Sequence, residues 1–108
     1  MKKEASNRSS KQEEILTIDR IIKLARPILK KNGIVKAGLF GSYARGQAKK
    51  SSDIDLLIKV KGKKSLLDIV GIQLALEESV KRKIDLIEYE ELHPSLKKKI
   101  LAEEVRII

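Results

Sequence analysis

With 108 residues the chain has room for one domain and one modest core, and its lack of cysteine excludes disulfides and thiolate metal sites and agrees with a reducing cytoplasm. Aliphatic residues must build the interior, because one Phe and two Tyr are the only aromatic residues, and no apolar run approaches the roughly 20 residues that cross a bilayer. The net charge of +9 predicts attraction to polyanions such as nucleoside triphosphates, nucleic acid or an acidic protein, whereas scarce aromatic residues disfavour a dedicated single-strand binder.

The N-terminal third is predicted to contain a tail and one helix. Residues 1–9 are expected to form a flexible basic tail, and residues 10–108 the folded domain. Ser10–Glu13 has the capping-box pattern of a helix start. Pro27 is expected to kink or divide this helix, and Asn32-Gly33 to end it. The apolar residues along it recur at helical spacing: Ile15, Ile18, Ile22, Ala25 and Leu29.

The rest of the chain alternates strand and helix patterns. Strands are predicted at 34–40, 53–60, 83–88 and 105–108, a short helix from Gly41, and longer helices at 65–80 and 93–103. This order suits an α/β (α+β) fold, a small mixed β-sheet backed by helices. So small a core should leave an apolar helix stripe partly uncovered, and we expect an oligomer or a partner protein to cover it.

The most informative segment joins a Gly-Ser turn to two carboxylates. Gly41-Ser42 follows an apolar run, and Asp53 and Asp55 lie further along, two residues apart. On an extended strand such residues project from the same face, with Cα atoms about 6.5 Å apart, so they can share hard cations. A Gly-Ser turn before a helix offers N–H groups and a hydroxyl to phosphate. Together these features indicate metal-assisted phosphoryl chemistry.

Either feature alone is common and in most cases has no function, but their combination is hard to explain by structure alone. Asp55 is embedded in the apolar run Ile54–Ile58, where like charges resist desolvation unless a cation or a base compensates them. Asp85 has a similar setting between Ile84 and Leu86, so neighbouring strands would bring three aspartates together. Sequences typical of Rossmann and Walker phosphate loops are absent.

Other polar residues are given structural interpretations or left open. Arg45 is interpreted, with even weight, either as a plain surface residue or as one with a role in triphosphate binding or helix packing. Tyr43 is interpreted as a packing residue, and His93, before a proline, as structural or exposed. Lys49 and Lys50 lie in the loop between the turn and the aspartates, where one of them could touch phosphate.

These motifs resemble the minimal nucleotidyltransferases of the DNA polymerase beta superfamily. Gly41-Ser42, ten intervening residues and Asp53-Ile54-Asp55 are similar to that superfamily's signature, and residues 83–87 are similar to the strand that bears its third carboxylate. Ala44-Arg45-Gly46 and Ser52 resemble the small prokaryotic branch in particular. The resemblance extends from about Gly33 to Ile108 and implies a short sheet with the active site at its open face.

The resemblance implies a Mg²⁺-dependent enzyme that transfers AMP from ATP to an acceptor hydroxyl. Asp53, Asp55 and Asp85 would be the catalytic and metal-binding residues for two ions, and Gly41, Ser42 and Arg45 would bind the nucleotide. Stand-alone members are paired with a HEPN-domain protein, which implies an antitoxin that adenylylates a tyrosine of its HEPN ribonuclease toxin. A non-catalytic binding antitoxin and a small-molecule transferase similar to aminoglycoside nucleotidyltransferases stay open, as do the acceptor, the preferred base and a homo-oligomeric state. An RNA-tailing enzyme and the small-molecule transferase are disfavoured because the chain is short for an additional substrate-binding domain.

Overall fold

The computed structural model describes residues 15–108. Its elements, in chain order, are α1 (Ile18–Lys31), β1 (Ile34–Phe40), α2 (Gly41–Ala44), β2 (Ile54–Val60), α3 (Leu66–Val80), β3 (Ile84–Glu88), a 3₁₀ turn (Tyr89–Glu91), α4 (Pro94–Glu103) and β4 (Val105–Arg106). The predicted fold class, a small mixed sheet with helices, is confirmed. Every predicted strand is present, and the last one is two residues shorter than expected.

The four strands form one sheet in the order β3-β2-β1-β4. β1 is antiparallel to both β2 and β4, and β2 is parallel to β3. The parallel pair needs a crossover, and α3 supplies it. β2 and β3 run in the same direction, and their first residues, Ile54 and Ile84, are register partners. The aspartates that follow these two residues are therefore neighbours.

One face of the sheet is covered by helices and holds the core. α1 and α3 pack against each other there. The core is almost entirely aliphatic, and its fully buried members include Ile21, Leu29, Leu39, Ile54, Leu56, Ile58, Leu76 and Ile84. Alternation along β2 directs Ile54, Leu56 and Ile58 into this core, so Asp55 and Leu57 project from the opposite face.

Helix α1 differs from its prediction at its beginning. Thr17 is the N-cap, its hydroxyl accepting a hydrogen bond from the N–H of Arg20 at 3.1 Å, so Ile15 lies outside the helix and is exposed. The predicted tail and the capping box Ser10–Glu13 fall outside the described residues. The expected division at Pro27 is wrong, because the helix continues to Lys31 with the proline on its exposed side. Its predicted end is confirmed, with Asn32 as the C-cap.

Helix α3 begins and ends as its sequence predicts. Ser65 and Asp68 form a reciprocal capping box, and Lys81 closes the helix in the left-handed conformation at φ 61°. Its core side chains are Ile72, Leu76 and Val80. Four further apolar side chains on the helix are exposed: Leu66, Leu67, Val70 and Leu74.

The C-terminal residues close the sheet on the far side of β1. Gly38 and Leu39 pair with Arg106 and Val105. The Ala37 carbonyl accepts hydrogen bonds from the N–H groups of Ile107 at 2.9 Å and Ile108 at 3.1 Å. Within residues 15–108, no helix has both the length and the apolar character to cross a bilayer.

Candidate active site

Two aspartates face each other across the parallel strands β2 and β3. Asp55 and Asp85 are direct register partners on the face away from the core. The pairing begins where the Ile54 N–H donates to the Lys83 carbonyl at 2.9 Å, which aligns the first residues of the two strands. The sequence argument that neighbouring strands would bring Asp55 and Asp85 together therefore agrees with the geometry.

Asp55 lies in an electrostatically strained environment. Its burial is the largest of the effects that raise the pKa of its carboxyl from 3.8 to about 6, and the charges of Asp85 and Asp53 raise it further. A hydrogen bond shared with Asp85 acts in the same direction, and the guanidinium of Arg45 opposes the rise. The pair therefore needs a positive charge, either a proton or a cation, to relieve it.

Asp53 lies immediately before β2, at the end of a loop that is stabilised by a hydrogen bond to the Ser52 side chain. The Ser52 hydroxyl accepts a hydrogen bond from the Lys49 N–H at 2.7 Å, and the Ser52 N–H donates to the Lys49 carbonyl at 3.0 Å. This turn places Asp53 close enough to influence the charge of Asp55. Lys49 and Lys50 are exposed in the same loop.

The Gly-Ser turn is pressed against Asp55. Gly41 follows Phe40, the register partner of Asp55, and has φ +74°. A Cβ atom at Gly41 would lie 2.2 Å from Oδ2 of Asp55. Glycine is therefore favoured at this position for two reasons, the left-handed backbone and the space that the carboxylate occupies.

The short helix α2 carries Ser42 and Tyr43 beside the carboxylates. Ser42 is half-buried, and its hydroxyl makes no hydrogen bond to any residue of the described chain. Its carbonyl accepts a hydrogen bond from the Gln47 N–H at 2.8 Å. Tyr43 is buried in the core, which confirms its interpretation as a packing residue. Ser42 is thus the side chain of this turn that is available to a ligand.

Arg45 ties the turn to helix α4. Its Nη1 lies 3.3 Å from Oε2 of Glu103, and its Nε donates to Oε1 of Gln47 at 3.1 Å. Because it also lowers the pKa of Asp55, its charge is felt at the carboxylate pair. Sequence reasoning missed Glu103, since nothing in the local sequence links Arg45 to a residue 58 positions away, and it also missed Gln47, which is two positions from Arg45.

The open face beyond the aspartates holds a second polar group. Glu104 fills the space above Gly38, where a Cβ atom would collide with its carboxylate. Glu104 accepts a hydrogen bond from the Tyr89 hydroxyl, and Nζ of Lys36 lies 4.6 Å from the centre of the Tyr89 ring. Burial and Glu104 raise the pKa of Tyr89 above its usual range. His93 lies apart from both groups as the N-cap of α4, accepting from the Ser95 N–H at 3.2 Å.

The carboxylates of Asp53, Asp55 and Asp85 are chemically suitable ligands for a hard divalent cation. Carboxylate oxygens are the ligands that Mg²⁺ prefers, and a cation would relieve the repulsion that raises the pKa of Asp55. Within residues 15–108, no three His, Cys, Asp or Glu side chains are arranged closely enough to enclose an ion by themselves. Asp55 and Asp85 are paired, while Asp53 acts on Asp55 from the preceding loop, so oxygen atoms of a bound nucleotide would have to complete such a site.

Comparison with known proteins of similar sequence identifies the family of this chain. Residues 23–108 match the family model "Polymerase beta, Nucleotidyltransferase". A Methanocaldococcus jannaschii protein provisionally named a protein adenylyltransferase is 42% identical over 86% of this chain and all of its own length. Protein adenylyltransferase MntA of Thermococcus cleftensis is 32% identical over 88% of this chain and 91% of its own.

Solved structures agree with the sequence relatives. A structure provisionally named a minimal nucleotidyltransferase superposes with a TM-score of 0.70 at 32% identity, covering 78% of this chain and 86% of that chain. At 16% identity the fold is also that of a structure described as a tri-AMPylated Shewanella oneidensis HEPN toxin in complex with an MNT antitoxin, with a TM-score of 0.61 over 81% of this chain and 71% of that chain. The predicted family is therefore confirmed, and the chain belongs to the polymerase beta family of nucleotidyltransferases, among its minimal members.

Proposed function

We propose that this nucleotidyltransferase is a protein adenylyltransferase and antitoxin, which transfers AMP from ATP to a tyrosine of a cognate HEPN toxin in the presence of Mg²⁺. The observation that carries the proposal is the alignment of Asp55 with Asp85, with Gly41 held against Asp55. Paired carboxylates and a Gly-Ser turn therefore lie together at one end of an open sheet face, which supports binding of a nucleotide there.

Each residue of the site has a role in this proposal. Asp53, Asp55 and Asp85, together with oxygen atoms of the nucleotide, would hold two Mg²⁺ ions, which would supply positive charge to the α-phosphate and to the leaving pyrophosphate. Gly41 and Ser42 bind the outer phosphates through the backbone and the free hydroxyl. Arg45 adds positive charge near the phosphates while its pairing with Glu103 fixes the turn.

The proposed transfer is a single displacement at phosphorus. The acceptor phenol oxygen attacks the α-phosphorus of ATP, the bond to the β-phosphate bridge oxygen breaks, and pyrophosphate leaves. Asp85 is more exposed than Asp55 and is placed at the edge strand β3, where an incoming hydroxyl can reach it. We therefore assign to Asp85 the acceptance of the phenolic proton.

We propose a protein substrate because the described chain is small and because its sequence relatives are named protein adenylyltransferases. The sheet, its helices and the site account for the whole described chain, so little is left to enclose a small acceptor or an RNA end. The two sequence relatives carry the name protein adenylyltransferase, and a related fold occurs with an AMPylated HEPN toxin. A docked partner protein would present its own tyrosine to the open face.

The test is the mass of the partner after incubation with this chain. A HEPN protein encoded beside this chain, mixed with it, ATP and MgCl₂, should gain the mass of one or more AMP groups on tyrosine. Asp55→Asn should form the same complex and leave the partner unmodified. Glu90→Gln, which removes an exposed carboxylate elsewhere, is the matched control and should retain full transfer.

Other outcomes separate the remaining functions. A partner that is bound and inhibited but never modified would favour a non-catalytic antitoxin. Transfer of AMP to aminoglycosides or to RNA ends, with the HEPN protein left unmodified, would favour a small-molecule transferase or an RNA-tailing enzyme.

A further inference from the structure

Helix α3 exposes an apolar surface that a monomer leaves in water. Leu66 and Leu67 are 80% and 81% exposed, and Leu74 is 59% exposed. Val70 lies between them and is also exposed, and Gly71 beside it has no atom within 4 Å of the position a Cβ would take. Such a helix, apolar towards the core and apolar towards solvent, is typical of one that is buried on both sides. Helix α1 contrasts with it, because its outward residues are polar.

The outer face of α3 has a palindromic pattern. We define it by five positions that lie within one sector of the helix and by Lys63, which stands two residues before the N-cap Ser65. In chain order these six positions are 4, 3, 1, 3 and 4 residues apart: Lys63, Leu67, Val70, Gly71, Leu74 and Glu78. The pattern is symmetric about the midpoint between Val70 and Gly71. An isologous contact between two copies needs this symmetry, because each residue must meet its counterpart twice.

The charges at the two ends of this outer face are opposite. Lys63, followed by Lys64, stands just before the N-cap, and Glu78 lies near the C-terminal end. Glu77 is engaged elsewhere, since its carboxylate accepts the Ile84 N–H at 2.9 Å. No residue of the described chain forms an ion pair with Lys63 or Glu78. Two antiparallel copies would therefore place each lysine beside the other copy's glutamate.

We propose that the outer face of α3 is a docking surface for a second copy of this chain, which packs antiparallel across a two-fold axis between Val70 and Gly71. In that arrangement Leu67 meets Leu74 of the second copy, and Val70 fits over Gly71 of the second copy. The missing side chain of Gly71 allows the helices to approach closely. The aspartate pair lies on the opposite face of the sheet and stays open to a nucleotide in such a dimer.

The first test is the mass of the full chain in solution. Light scattering coupled to size-exclusion chromatography should give twice the 12.2 kDa of one chain. Leu74→Glu should reduce it to the mass of one chain. Leu96→Glu is the matched control, because Leu96 on α4 is 51% exposed and lies outside this surface, and it should leave the dimer intact.

Charge reversal tests the antiparallel register. By symmetry, Lys63→Glu or Glu78→Lys alone creates two like-charge contacts in each dimer, so each should weaken the dimer by about tenfold in dissociation constant. Both changes in the same chain recreate two opposite-charge contacts and should restore the dissociation constant to within about threefold of the unchanged chain.

Any one of four results would overturn the proposal. The first is a monomer at the highest soluble concentration, and the second is a dimer that Leu74→Glu leaves intact. The third is a failure of the combined charge reversal to restore association. A monomer whose Leu74→Glu variant loses binding to a HEPN protein would also overturn it, and would assign this face to that partner.

Discussion

Removing the charge of Asp55 is expected to stabilise the fold at neutral pH and not in acid. The pKa of Asp55 is about 6 in the folded state against 3.8 for an ordinary aspartate. Between these two values the folded chain keeps a proton that the unfolded chain has released, so the free energy of unfolding falls as pH rises from about 4 to 6 and stays reduced above that range. Allowing for the partial exposure of the group, this cost is about 1–2 kcal/mol.

Asp55→Asn keeps the shape of the side chain and abolishes this cost. Urea denaturation at about pH 4 and pH 7.5 in EDTA, with Glu90→Gln as the control for an exposed carboxylate, measures the difference. We expect the Asn variant to exceed the unchanged chain by about 1–2 kcal/mol at the higher pH and by much less at the lower. An Asn variant that is equally or less stable at neutral pH would refute the view that Asp55 is held in an unfavourable ionised state.

Three further results follow from the site. Mg²⁺ with ATP should raise the melting temperature of the unchanged chain much more than that of the double variant Asp53→Asn/Asp55→Asn, because the double variant lacks two of the three carboxylates. Equal shifts would contradict the metal assignment. Gly41→Ala should lose stability and AMP transfer together, whereas Gly46→Ala, with a similar φ of +72° and no atom near its Cβ position, should lose about 1–2 kcal/mol of stability and keep activity. Ser42→Ala should weaken nucleotide binding by about 1–3 kcal/mol in a calorimetric titration, and an unchanged affinity would place the phosphates elsewhere.

Much of the fold could be predicted because its signals are local. The capping box of Ser65 and Asp68 predicts the start of α3, and a proline at the first residue predicts the start of α4. The apolar run of β1 ends at the Gly-Ser turn, and that of β2 begins after Asp53, so these limits of the two strands can be seen in the sequence. A local rule was wrong at Pro27, where the helix was expected to divide but continues to Lys31.

The contacts that complete the site could not be predicted, because they join residues far apart in the sequence. Glu103 reaches Arg45 from α4, and Glu104 lies over Gly38 from the residue that follows. A glycine in the middle of a strand signals a close approach but does not identify the approaching group. The pairing of Asp55 with Asp85 was accessible only because two similar short strands each carried one carboxylate.

The position of β4 has a consequence for synthesis. β1 is an internal strand only because residues 105–106 pair with it, and the chain places them at the end of everything else described. Until those residues have left the ribosome, the nascent sheet presents the unpaired edge of β1, with the apolar side chains of Val35 and Leu39 along it. Premature termination after α4 should therefore yield a product that aggregates, even though its aspartates and its Gly-Ser turn are all present.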